Sequence, residues 1–164
     1  MRILGLDIGD KRTGVAVSDP QGILATPLTV LASQHEDAFI DEILKLAEQY
    51  KAECIVVGLP CHLNGQASKQ ASKVTAFVDK LSSRAKQSSF RHLDVQLWDE
   101  RLSTKVAERL KAEARGTRGR SRSGARKGAR SQASPIKAEV DAMAAAIILQ
   151  GFLDSQRRSD SHGA

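Results

Sequence analysis

Acidic residues stand at three places where a solvated surface charge is unexpected. Asp7 follows Ile3, Leu4 and Leu6 and comes just before Gly9. Asp99 and Glu100 close the stretch Val95-Gln96-Leu97-Trp98. Asp141 lies inside Val140-Asp141-Ala142-Met143-Ala144-Ala145-Ala146-Ile147-Ile148-Leu149, where nearly every neighbour is apolar. Burying an unpaired carboxylate is costly and is tolerated when the group is paired or binds a metal. Phosphodiester hydrolysis gives a reason to gather such groups, because it needs a nucleophilic water and neutralised charge on the phosphate and leaving oxygen. Two divalent ions about 4 Å apart do both when carboxylates from separate elements clamp them. Oxygen ligands select magnesium or manganese over zinc. Each acid also has a plainer reading. Asp7 suits an Asx turn beside Gly9, Glu100 suits a pair with Arg101, and Asp141 suits a pair with Lys137 one helical turn earlier.

The elements that must position these groups follow from periodicity and turn signals. Arg2 to Asp7 reads as an apolar strand, followed by the turn Ile8-Gly9-Asp10-Lys11-Arg12. Thr13 to Ser18 and Ile23 to Leu31 read as the next strands, and the short links between them predict antiparallel hairpins. Ser33 and Glu36 have capping-box spacing. Behind them Ile40, Ile43, Leu44 and Ala47 repeat at helical spacing. Cys54 to Leu59 is continuously apolar and reads as a buried central strand. A helix over Ser68 to Leu81, a strand over Leu93 to Trp98 and a helix from Ser103 to about Ala114 come next. Ser134-Pro135 opens the last helix, expected to end near Leu153 with a frayed polar tail behind it. Three strands followed by alternating helices and strands predict an α/β fold, a mixed sheet with helices on its faces. The Ala-rich run around Asp141 lets its helix approach the sheet closely.

Charge narrows the function. The chain of 164 residues carries a formal +6. Residues 111 to 130 hold eight basic residues, Arg118, Arg120, Arg122, Arg126 and Lys127 among them, against the single acid Glu113, so the remainder is slightly negative. A near-neutral globule with a basic arm suits a polyanionic partner. The arm, about residues 115–132, is too poor in apolar residues to build a core and is expected to be mobile when free. Its phosphate contacts would act by counterion release and be blind to sequence; the plainer reading is a solvated loop. The longest apolar run, Ala142 to Leu149, is eight residues, against about twenty for a membrane span. With no signal-peptide pattern, a cytoplasmic protein with no membrane partner is expected. Cys54 and Cys61 lack CxxC spacing and read as reduced thiols rather than zinc ligands. His35, His62 and His92 read as surface residues, with His62 a weak candidate for auxiliary acid–base work.

Beyond the acids, Gly5-Leu6-Asp7-Ile8-Gly9, Lys11-Arg12-Thr13-Gly14-Val15-Ala16-Val17-Ser18-Asp19, Val56-Val57-Gly58-Leu59-Pro60, Asp99-Glu100-Arg101-Leu102-Ser103-Thr104 and Lys137 to Gln150 occur in one order along nearly the whole chain. In these motifs the sequence resembles the YqgF family, candidate pre-16S rRNA nucleases related to Holliday-junction resolvases. The resemblance implies an RNase H-like, five-stranded mixed sheet flanked by helices, forming one nuclease domain over residues 1–154 with a tail at 155–164. It also implies Asp7, Glu100 and Asp141 as the catalytic, metal-holding triad, with Asp99 the weaker ligand beside Glu100. Lys11, Arg12, Thr13, Arg101 and Lys137 are expected to join the arm in binding nucleic acid, with RNA favoured over DNA and the oligomeric state, monomer or dimer, left open. Gly9 and Gly14 are read as places where backbone approaches a phosphate. Two departures from the family pattern stand out. Cys61-His62-Leu63-Asn64-Gly65 keeps only the Asn-Gly of the usual loop, and the basic arm is long.

The alternatives are a branched-DNA resolvase, a non-catalytic nucleic-acid-binding factor in ribosome assembly or transcription, and an actin-like phosphate loop suggested by Asp7-Ile8-Gly9 with Gly14. The last usually needs two lobes to enclose a nucleotide, and one domain fits it poorly.

Overall fold

The computed structural model describes residues 1–32, 35–59, 67–99 and 135–161. Five strands form one sheet in the order β3-β2-β1-β4-β5: β1 Arg2–Ile8, β2 Arg12–Ser18, β3 Ala25–Ala32, β4 Ala52–Leu59 and β5 Asp94–Asp99. The first three strands pair antiparallel, whereas β4 lies parallel to β1 and β5 parallel to β4. The switch has a connectivity cause. Short loops join β1, β2 and β3, while β4 and β5 are each reached through a helix, which brings the chain back to start in the same direction.

Helices α1 (Glu36–Gln49) and α2 (Ala67–Gln87) cover one face, and α3 (Pro135–Ser161) covers the other. Strand alternation divides the core accordingly. Leu4, Leu6, Val15, Ile55 and Val57 point to α1 and α2 with Ile40, Ile43 and Leu81. Ile3, Ala16, Cys54 and Val56 point to α3 with Ala145, Leu149 and Phe152. With both faces covered, β4 is continuously apolar from Cys54 to Leu59, as expected for a buried central strand.

Three expected features differ. Helix α2 does not end at Leu81 but continues to Gln87. Glu36 opens α1 rather than standing three residues inside it, and the cap is His35, with no side-chain capping bond. No capping box forms there; Glu36 pairs instead with Lys80 of α2. The last helix does not end near Leu153 but runs to Ser161. Asp154 accepts from Gln150 Nε2 at 3.1 Å and pairs with Arg157, so local polar contacts carry the helix onward. The expected helix from Ser103 and the basic arm lie outside the described residues.

Candidate functional site

Asp7 is the penultimate residue of β1, and its cross-strand partner in β2 is Gly14. Directly opposed residues project to the same face. For this pair it is the α3 face, because Ile3 and Gly5 precede Asp7 at alternate positions and both meet that helix. Gly14 is where α3 touches the sheet. A Cβ on Gly14 would lie 1.9 Å from the backbone oxygen of Asp141, a distance no side chain tolerates. At Gly5 a Cβ would lie 2.7 Å from the Cβ of Leu149 and 3.1 Å from the oxygen of Ala145. These two glycines, with Ala16 between them in the core, let the Ala-rich side of α3 lie directly on β1 and β2. Gly14 thereby has Asp7 as its cross-strand partner and the backbone of Asp141 packed over it, one aspartate from a strand and one from a helix, each half-buried. Gly14 therefore admits the helix rather than a phosphate. Gly9 serves its own turn, donating to the oxygen of Arg12 at 2.9 Å.

Arg12 begins β2, two residues before Gly14 and on the same face. Its Nε lies 3.4 Å from Asp141 Oδ2. The sequence pointed to Lys137 as the partner of Asp141; the structure places Arg12 there, with Lys137 exposed on the first turn of α3. Lys11 is exposed at the hairpin turn. Thr13 is fully buried, facing away from α3 with Val15, so it is not on a surface that nucleic acid can reach. Asp99 also falls differently from expectation. In β5, Val95 packs against the α1/α2 core and Trp98 stacks edge-on to Phe152 of α3. Alternation then sends Asp99 to the α1/α2 face, opposite Asp7, where it pairs in register with Leu59. Glu100, Arg101, Arg118, Arg120, Arg122, Arg126, Lys127 and His62 lie outside the described residues.

The donor set fits a hard divalent cation. Two carboxylates share one face on rigid elements, and oxygen ligands of this kind suit magnesium or manganese. Among the described residues no cluster of three His, Cys, Asp or Glu forms. A groove of about 210 Å³ opens between Gly9, Asp10, Phe39 and Lys73. Its wall includes Ile8 and Phe77 of the α1/α2 core, so it lies behind Asp7 and is separate from this site.

Two residues in the matched motifs have structural work that sequence reasoning missed. Ser18 Oγ accepts from the Ile3 amide at 2.8 Å, tying β2 to β1. The Asp19 carboxylate accepts from the amides of Ile23 and Leu24 at 2.6 and 3.0 Å, closing the loop before β3. Those bonds, the one from Leu24 foremost, hold its carboxyl below the usual aspartate range. Gly22, the residue just before Ile23 in the same loop, takes the positive φ of 67° that such a turn requires, which the absence of a side chain permits.

Comparison with known proteins decides the family. Residues 1–155 match the RuvX family, described as Holliday junction resolvase. The chain belongs to the RuvX family. This bears out the resemblance to YqgF proteins. A relative from Desulforamulus reducens is 38% identical over 94% of this chain and 98% of its own length. One from Clostridium novyi is 39% identical over 94% of this chain and 99% of its own. Both are named as candidate pre-16S rRNA nucleases. Among solved structures, RuvC of Thermus thermophilus in complex with a Holliday junction substrate matches with a TM-score of 0.53 at 14% identity, covering 96% of each chain. The RuvX-family sheet and its helices are thus RNase H-like, as expected. Among the described residues no helix is long and apolar enough to cross a membrane.

Proposed function

We propose that the chain is a divalent-metal-dependent nuclease that processes the 5′ end of pre-16S rRNA in the cytoplasm during ribosome biogenesis. The observation that carries this is the approach of Asp141 to Gly14, the cross-strand partner of Asp7. It joins two carboxylates that stand far apart in sequence. Asp7, Asp141 and Glu100 would hold the ion. Glu100 takes precedence over Asp99 because β5 alternation turns Asp99 to the opposite face. Magnesium or manganese bound there supplies charge neutralisation at the scissile phosphate and a lowered pKa for an attacking water.

The chain's own residues do the positioning. Asp7 is fixed by a paired strand and Asp141 by a helix pressed against that strand, so their oxygens are preorganised. Lys11 and Lys137, both exposed near the carboxylates, are placed to meet flanking phosphates. Arg101 and the arm residues Arg118, Arg120, Arg122, Arg126 and Lys127 would add grip that does not read sequence.

A four-way DNA junction is the second substrate to weigh, because the family is described as Holliday junction resolvase. The discriminating experiment offers labelled 5′-extended 16S precursor and a four-way junction to the protein with magnesium or manganese. Site-specific cleavage of the precursor with the junction intact is expected. Cleavage of the junction alone transfers the reading to a resolvase, and tight binding without cleavage of either transfers it to an accessory factor.

A further inference from the structure

An ion pair on a metal ligand is a competitor for the metal. Arg12 Nε and Asp141 Oδ2 are 3.4 Å apart, with the two side chains only 20% and 22% exposed. The carboxylate that Arg12 engages is one of the two that the α3 face gathers. An arginine stays protonated at any physiological pH. It therefore cannot yield Asp141 to an incoming cation by losing a proton and must move. It is also repelled by the cation that displaces it. The guanidinium has a natural second partner in a phosphate group, whose oxygens match its planar fork.

We propose that Arg12 is a loading switch. Without substrate it acts as a surrogate cation on Asp141. When nucleic acid arrives, Arg12 passes to a phosphate oxygen and releases Asp141 for the divalent ion. This rests on the metal site of the proposed function and adds a coupling to it. Because linkage is reciprocal, metal and nucleic acid each strengthen the other's binding by the same factor. A cleavage-competent ion would then be loaded chiefly where a strand is already bound. Arg12 acts here as a positioning residue, through Asp141 and the substrate phosphate.

The test uses the full chain and two binding measurements, with no activity readout. Mn2+ binding to the free protein is followed by electron paramagnetic resonance for wild type, Arg12→Gln, Arg12→Lys and Asp141→Asn. Affinity for a fluorescent phosphorothioate RNA oligonucleotide is measured by anisotropy with and without Mn2+. Arg12→Gln is expected to bind Mn2+ roughly fivefold tighter than wild type, with Arg12→Lys, which keeps the charge, near wild type. Mn2+ should tighten RNA binding by wild type and lose that effect in Arg12→Gln. Unchanged or weaker Mn2+ binding by Arg12→Gln, with Asp141→Asn still losing the ion, overturns the switch and leaves the metal site standing. No Mn2+ binding by wild type or any variant overturns the metal site and the switch together.

Discussion

Asp7 and Asp141 pose the problem of two like charges on one face, and Arg12 offsets part of it. Removing either charge should therefore cost chemistry rather than fold. Asp7→Asn and Asp141→Asn are each expected to reduce metal-dependent cleavage by at least about 10²-fold, the order attached to losing one preorganised electrostatic group. Their thermal midpoints should stay near wild type, and a large loss of stability in both would mean that the carboxylates are structural. Cys54 is the opposite case, a titratable group with no part in the site. Burial, and then the carboxylate of Asp94, push its thiol up to about 12 from 9.0. The folded chain holds that proton more tightly than the unfolded chain. The resulting stability is complete below about pH 9 and is lost as pH rises toward 12. Urea midpoints at pH 8 and 10.5 should fall more for wild type than for Cys54→Ala; equal slopes would contradict the assignment. Asp7 and Asp141 were legible in the sequence because a carboxylate inside an apolar string is conspicuous. Arg12 and Thr13 were less so, because adjacent residues leaving a turn take opposite faces, and sequence alone does not fix which. One became the partner of Asp141 and the other entered the core.

The contact of α3 with the sheet depends on small residues, and Gly14 is its tightest point. Gly14→Ala puts a methyl against the Asp141 backbone, which a rotamer change cannot relieve. Overpacked cores usually lose about 1–3 kcal/mol, and this substitution should reach the upper end or exceed it. It should also displace Asp141, so Mn2+ affinity and thermal midpoint fall together. A variant with unchanged midpoint would show that the helix does not lie where described. Strands and α1 were readable because alternation and the spacing of Ile40, Ile43, Leu44 and Ala47 report directly on burial. The close approach of α3 was foreshadowed by its alanines, but its match to Gly5 and Gly14 is a long-range contact with no local signal. The extension of α3 to Ser161 was missed for a related reason. Its last turns are polar, and Gln150, Asp154 and Arg157 sustain them through contacts that composition does not weigh.

Taken whole, the molecule divides its labour: a carboxylate site on the α3 face, a covered sheet beneath it, and the chain's positive excess concentrated in residues 111–130. If that segment grips phosphates, replacing Arg118, Arg120, Arg122, Arg126 and Lys127 with glutamine should weaken RNA binding uniformly across sequences. It should also lower the slope of log affinity against log salt by up to about 3.5 for a single strand. An unchanged slope would remove the arm from the binding account. The RNase H-like architecture was accessible from the order of motifs along the chain, whereas the burial of Thr13 and the turn of Asp99 to the α1/α2 face needed the strand register. The most direct measurement of the central claim is cleavage of 5′-extended 16S precursor by wild type and Asp141→Asn, with Mn2+ or Mg2+ and with the metal chelated. Cut product only with wild type and metal, and RNA binding retained by both proteins, is the predicted result. Equal cleavage by Asp141→Asn, or cleavage that persists in chelator, would contradict a metal site built on Asp7 and Asp141.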